Sequence, residues 1–429
     1  MRPRPVLSLD EIDLSATGFW SRPWEEREGA FETLRRERPV AYFSEAQLER
    51  LNFIPEGAGY WALTRHADIL EASRTPEIFS SARGATSIFD LPPLFLEFFG
   101  SFINMDDPAH LRLRKLVSGG FTPRHLSRLE EYVHRTATEV IDAVIEKGSC
   151  DFVTELSGPF PIRIICDMMG IPASQHGFVF DRTNIILGAG DPEYVPEGTD
   201  IAAALLGAGK DLADLMKDLR KHRVANPTDD LTSIIVNAEI DGGRMSEAEL
   251  GSFFILLATA GNETTRNAIS HGMHALCENP EQRALWQRDF DGVAKSAIEE
   301  IVRWASPVIF MRRTTTRPTV LGGQQLPEGA KVLLFYNSGN RDERVFDDPY
   351  RFDVRRSPNE HVGFGGPGPH FCMGANLARR EILVFFRELF RRMPDLEVSG
   401  PPDRLVSNFI HGIKHMPCSF TAGAREAAA

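Results

Sequence analysis

Apolar positions recur at helical spacing over most of the chain. Leu129–Lys147, Ile201–Val224, Ser246–Glu278, Gly292–Trp304 and Gly374–Met393 all carry this period, and each predicts a helix. Strand-like runs are short. Tyr60–Thr64, Val308–Thr316 and Lys331–Tyr336 predict strands, with Leu326-Pro-Glu-Gly329 as a turn between the last two. The pattern is that of a mainly α protein with small β-sheets. No internal repeat or linker interrupts it, so residues 1–429 are expected to form a single domain, with residues 1–20 as an extended N-terminal arm and 424–429 as a frayed tail. Two irregular segments are unusually apolar: Ser87–Met105, broken by Pro92-Pro93, and Leu187–Pro196. Each reads either as core packing or as the wall and lid of a pocket.

Composition narrows the class. Apolar residues make up 42% of the chain, enough for a large core, yet no run reaches the ~18 residues of a membrane span. The expectation is a cytoplasmic protein without a membrane anchor. A net charge of −12 argues against general nucleic-acid binding. Five cysteines, an odd number without a C-x-x-C pair, do not make a disulfide framework. His271 and His274 share a helical face but lack a third ligand nearby, so packing is the better reading.

One glycine-rich segment carries chemistry. Gly363-Phe-Gly-Gly-Pro-Gly-Pro-His-Phe-Cys-Met-Gly374 delivers Cys372 to the start of a helix whose apolar stripe is Ala378, Ile382, Phe385, Phe386, Leu389, Phe390 and Met393. A helix N-terminus favours the thiolate, and the glycines let backbone approach a flat macrocycle. A thiolate on haem iron favours O–O cleavage. The letters also match a dinucleotide fingerprint, but Pro367 and Pro369 remove N–H donors and no strand–turn–helix unit surrounds them. A Cys372–His370 nucleophile pair would be unusual for i, i+2 neighbours. Taken alone, the segment leaves a buried structural cysteine open.

A second segment lies on the longest predicted helix, which opens with a Ser246–Glu249 capping box. Near its centre runs Ala260-Gly-Asn-Glu-Thr-Thr265. Gly261 is costly inside a helix, and Thr264 can turn its hydroxyl onto a preceding carbonyl, so a local widening is expected. An alcohol beside a carboxylate suits proton delivery. Thr264 is assigned to organise dioxygen and water, and Glu263 to relay protons from solvent. The alternative is a core helix with a tolerated glycine.

Together with Glu300-Ile-Val-Arg303, these segments resemble the cytochrome P450 superfamily, over nearly the whole chain and in the family's order. The resemblance implies a triangular prism of helices around a buried haem b (iron protoporphyrin IX), with Cys372 as the iron ligand and Phe364 and Gly374 beside it. It implies that His110, Arg114, Arg312 and His370 hold the haem propionates. It makes Glu300 and Arg303 a structural lock with Arg351 of Pro349-Tyr-Arg-Phe352. It also places Ile88, Phe95, Phe102, Leu257, Ala260, Gly261, Val308, Ile309, Phe310 and Phe409 on the walls of an apolar substrate pocket.

The runs Ser252–Asn267, Glu299–Pro307, Gly374–Ile382 and Phe409–Lys414 are similar to the actinobacterial subgroup that oxidises the terminal methyl of methyl-branched lipids and sterol side chains. The implied enzyme is a monooxygenase taking one oxygen atom from O2. A monomer is expected, with electrons coming from a ferredoxin and its ferredoxin reductase docked on Arg112, Lys115, Arg124, Arg379 and Arg380. Monooxygenation of another hydrophobic natural product, a peroxide-driven haem-thiolate peroxygenase and a non-catalytic haem sensor or carrier are the rival readings.

Overall fold

The structure is a computed structural model that describes residues 4–45, 57–118, 123–239 and 243–426. Its helices include α1 (Pro93–Phe99), α2 (Ala109–Ser118), α3 (Pro159–Met169), α4 (His176–Gly188), α5 (Ile201–Ala225), α6 (Glu247–Glu278), α7 (Phe290–Ala305) and α8 (Ala375–Arg392). The strands that matter for the site are β1 (Val40–Phe43), β2 (Tyr60–Leu63), β3 (Phe79–Ser80), β4 (Ser149–Asp151), β5 (Phe310–Thr315), β6 (Lys331–Phe335), β7 (Glu397–Val398) and β8 (Pro417–Ser419). β1, β2, β6, β5 and β3 form one sheet in that order, and β4, β8 and β7 form another. None of the described helices is long and apolar enough to cross a membrane.

The predicted helices and strands are present within a few residues of their expected bounds, except that the first helix extends over Pro123–Asp142. α6 organises the rest. Its 32 residues span about 48 Å at 1.5 Å per residue, and it packs against α3, α5, α7 and α8. It starts as expected: Glu249 N–H donates to Ser246 Oγ at 3.2 Å and Ser246 N–H to Glu249 Oε2 at 2.8 Å. α8 buries Ile382, Phe385, Phe386 and Leu389, and stops before Pro394.

Three expectations fail locally. Residues 1–20 are no free arm in their described part: Leu14, Phe19 and Trp20 are buried with Phe31 and Phe335, and the Trp20 indole donates to Leu14 O at 2.9 Å. Residues 424–426 are held rather than frayed, since Arg392 donates to Ala424 O and Asp142 accepts from Glu426 N–H, while 427–429 lie outside the described residues. The segment Ser87–Met105 contains α1 and a short 3-10 turn, Phe102–Asn104. Pro92 and Pro93 start α1 instead of breaking a helix, because proline costs nothing where N–H groups have no helical partner.

Candidate active site

The cysteine loop is folded tightly against the molecule. Gly365 has φ +84°, in the left-handed region, and a Cβ at Gly368 would sit 2.1 Å from Ser73 O, so bulkier residues are excluded at both points. Cys372 N–H donates to Phe364 O at 3.0 Å, which closes the loop. Gly374 is the N-cap of α8. Burial pushes the Cys372 thiol up, while the N–H groups of Gly374 and Ala375 and the cations Arg114 and Arg379 pull it down. The residue nevertheless retains open surface. Phe364 is held beneath the Arg379 guanidinium, 4.4 Å from the ring centre, and near Phe371. Arg379 is itself fixed by Glu299 at 2.5 and 2.9 Å.

Beside this loop four basic side chains converge. His110 Nδ1 pairs with Asp107 at 3.0 Å, but its buried Nε2 has no partner among the described residues. Its ring lies 4.3 Å from that of His370. Arg114 reaches the carbonyls of Pro369 at 2.8 Å and Phe371 at 2.7 Å. Burial, with Arg313, His110 and Arg114 close by, lowers His370 to about 3. Arg313 is buried, donates to Arg312 O at 2.8 Å, and is itself lowered by burial. Arg312, the residue expected here, is elsewhere: it pairs with Asp90 at 2.6 Å and donates to the carbonyls of Ser87, Ile88 and Phe89. Successive strand residues face opposite sides, so only one of the two arginines can join the cluster. The Arg-Arg pair was visible in the sequence, but its strand parity was not.

The centre of α6 separates the expected acid–alcohol pair. Thr264 lines a cavity and its hydroxyl donates to Ala260 O at 2.7 Å. Glu263 is buried on another face, ion-paired to Arg266 and accepting from Asn267 Nδ2 at 2.8 Å. Neighbours on a helix differ by about 100°, enough to send one side chain to the cavity and the other into the core. The helix stays α-helical through this region, so the expected widening is not found. Gly261 has a packing reason instead: a Cβ there would lie 2.7 Å from Ile165 Cδ1 on α3. Thr265 turns towards Glu381 of α8, whose carboxyl burial raises to about 8.

The cavity has a volume of about 710 Å³. Ile88, Phe95, Ala260, Val308, Phe310 and Phe409 line it as expected. Phe102, Leu257, Gly261 and Ile309 are not in its wall. Phe102 stacks with Phe253, Leu257 packs into the same helical core, and Ile309 is buried in the core beneath β5 and β6. Phe98, Phe99 and Leu187, also in the wall, fall in the two apolar segments expected to form wall or lid, whereas Ile186 and Leu256 were not anticipated. The period of α6 could have indicated Leu256, which falls with Thr259 and Ala260 on one face.

A family profile described as Cytochrome P450 matches residues 204–403. The chain is 49% identical over 422 residues to the methyl-branched lipid omega-hydroxylase of Mycobacterium tuberculosis, covering 98% of this chain and 97% of that one. The chain belongs to the cytochrome P450 family. It is also 39% identical to the steroid C26-monooxygenase of Mycolicibacterium smegmatis, over 99% of this chain and 96% of that protein. Among solved structures, Mycobacterium marinum cytochrome P450 CYP268A2 in complex with pseudoionone superposes with a TM-score of 0.90 at 42% identity, covering 98% of this chain and 100% of that one. This P450 is therefore a monooxygenase, and haem is its cofactor.

The residues present fit haem. A thiol with open surface, the unpartnered His110 Nε2 and the cations Arg313 and Arg114 suit an iron porphyrin with two carboxylates. The structural lock of this P450 also differs from expectation in one member. Arg303 binds Glu300 through two 2.7 Å contacts, both fully buried. The third member is Arg356, whose Nε reaches Glu300 at 3.1 Å. Arg351 offers only its carbonyl to Arg303, and its side chain points to solvent, 3.8 Å from Asp353. On the cysteine side of the P450, Arg112, Arg379 and Arg380 are already paired with Glu249, Glu299 and Glu130. Lys115 is exposed without an acidic partner among the described residues, and the Arg124 side chain lies outside them.

Proposed function

We propose that this P450 hydroxylates the terminal (omega) methyl of a methyl-branched lipid, isoprenoid or sterol side chain. The observation that carries the reading is the apolar cavity of about 710 Å³ with Thr264 and Ala260 in its wall. The names of the two similar enzymes point the same way. A terminal C–H bond is harder to attack than an internal one, so selectivity must come from holding the chain end in place. Phe95, Phe98 and Phe99 of α1, with Phe310 and Phe409, supply that confinement.

Bound haem would supply dioxygen activation and insertion of one oxygen atom into a C–H bond. Cys372 would hold its iron, with Phe364 and Gly374 shaping the loop around the sulfur. His110, Arg114, Arg313 and His370 would take its carboxylates. Thr264 would hold a proton at Oγ1 on the cavity side, and Glu263 would exchange protons only by leaving Arg266. Electrons would come from a ferredoxin served by its reductase, docking near Lys115 and the exposed Leu111 and Phe371. We further propose that the enzyme works as a cytoplasmic monomer.

Incubation of branched fatty acids, isoprenoids and sterols with ferredoxin, reductase and O2 tests this. Terminal alcohols are expected, and exclusively mid-chain products would overturn the reading. Peroxide-driven turnover gains one supporting observation, the Glu263–Arg266 pair, since peroxide already brings its protons. Full turnover with hydrogen peroxide alone, unchanged in Thr264→Ala, would favour it.

A further inference from the structure

Away from the haem site, Cys150 of β4 and Cys418 of β8 are direct register partners in an antiparallel ladder. Opposed Cα atoms in such a ladder lie about 4.5–5.5 Å apart, within the roughly 4.4–6.8 Å that a disulfide spans. The two Sγ atoms are 3.5 Å apart and hydrogen-bonded as thiols, and Cys418 also contacts Cys150 O at 3.4 Å. Closing the bond needs an approach of roughly 1.5 Å, within reach of side-chain rotation. None of the other three cysteines has a thiol neighbour among the described residues: Cys166 is fully buried, Cys277 contacts Leu396 O, and Cys372 belongs to the haem site. Cys150 is half-exposed, so a small oxidant can reach the pair.

We propose that Cys150 and Cys418 form a reversible redox staple, closing to a disulfide when the protein meets hydrogen peroxide or another two-electron thiol oxidant. One sulfur, as thiolate, attacks a peroxide oxygen; the O–O bond breaks and a sulfenic acid forms with release of water. The second thiol then attacks that sulfur, the S–S bond forms, and the hydroxyl leaves as a second water. The two thiols together lose two electrons and two protons, and the peroxide is reduced to two waters.

The staple has a structural consequence. β8 is the central strand of its sheet, between β4 and β7. Just before it, His415 bridges Asp151 at 2.9 Å and Glu193 at 3.0 Å, and Lys414 contacts Asp191 at 3.3 Å. Asp191 and Glu193 belong to the segment between α4 and α5, which begins with the cavity-lining Ala189 and Gly190. A β4–β8 crosslink therefore braces the strand that directly follows the residues anchoring this edge of the cavity. It also closes a loop of more than 250 residues, which restricts the unfolded chain.

Haem-loaded protein treated with diamide, and separately with dilute hydrogen peroxide, tests the staple. The expected result is a mass loss of about 2 Da, a peptide map joining the Cys150 and Cys418 peptides, and an apparent Tm about 2–5 °C higher that dithiothreitol reverses. Cys150→Ser should abolish all three changes, and Cys277→Ser should leave them intact. If Cys418→Ser folds poorly because that position is buried, Cys150→Ser still decides. Oxidation that spares both thiols, joins either to another cysteine, or leaves Tm unchanged would overturn the proposal.

Discussion

Arg312 and Arg313 are adjacent on β5 but face opposite sides, so replacing them should cause different losses. Arg313→Leu removes a buried cation beside His110 and His370 and is expected to lower the haem bound per chain, measured by absorbance after gel filtration. Arg312→Leu leaves Asp90 with Lys331 as its remaining partner and takes the donor from three loop carbonyls instead, and should lower stability with haem content retained. Equal haem loss in both would refute the assignment by strand parity. The lock behaves similarly. Arg356→Ala removes one of the two guanidinium groups on the buried Glu300, Arg303 remaining, and should cost about 1.5–3 kcal/mol in urea unfolding. Arg351→Ala, at an exposed side chain, should stay within about 0.5 kcal/mol. Position within a P-x-R-F string could not distinguish the two arginines, because the distinction depends on which guanidinium the turn after Asp348 directs back to α7.

Pairs of elements set the chemistry of buried acids. Glu381 on α8 lies against Thr265 on α6, and burial raises its carboxyl to about 8, against 4.5 for the free group. Between those two pH values the folded protein keeps a proton that the unfolded chain has lost, so stability falls as pH rises from 4.5 to 8. Glu381→Gln should remove this slope and stabilise the protein by about 1–3 kcal/mol at pH 7, seen in denaturant midpoints across that range. A parallel loss of stability in wild type and variant would count against a neutral Glu381. The apolar stripe of α8 was legible from its period, yet Glu381 reads as a solvated residue in a run of arginines. Only docking on α6 buries it.

At the scale of the molecule, the cavity edge is held by charges from four separate stretches of chain. His415 is opposed by burial but raised on balance by Asp151 and Glu193, with Lys414 and Asp403 close by. Its folded pKa stands above 6.5, so the stabilisation is complete below that value and is lost as pH rises through the folded pKa. Substrate association, followed by stopped-flow absorbance, should therefore accelerate from pH 6.5 to 8.5. His415→Gln should flatten the profile, and an unchanged profile would show that His415 does not hold this edge of the cavity. The sequence alone determined what local chemistry and periodicity encode: the helices, the glycine-rich turn carrying Cys372, the capped α6 and the family likeness. The tertiary structure decided which arginine joins the basic cluster beside the cysteine loop, which pairs with Glu300, which phenylalanines line the cavity and which face of α6 each candidate side chain takes. Those choices depend on strand parity and on contacts between elements hundreds of residues apart, and no local pattern records them.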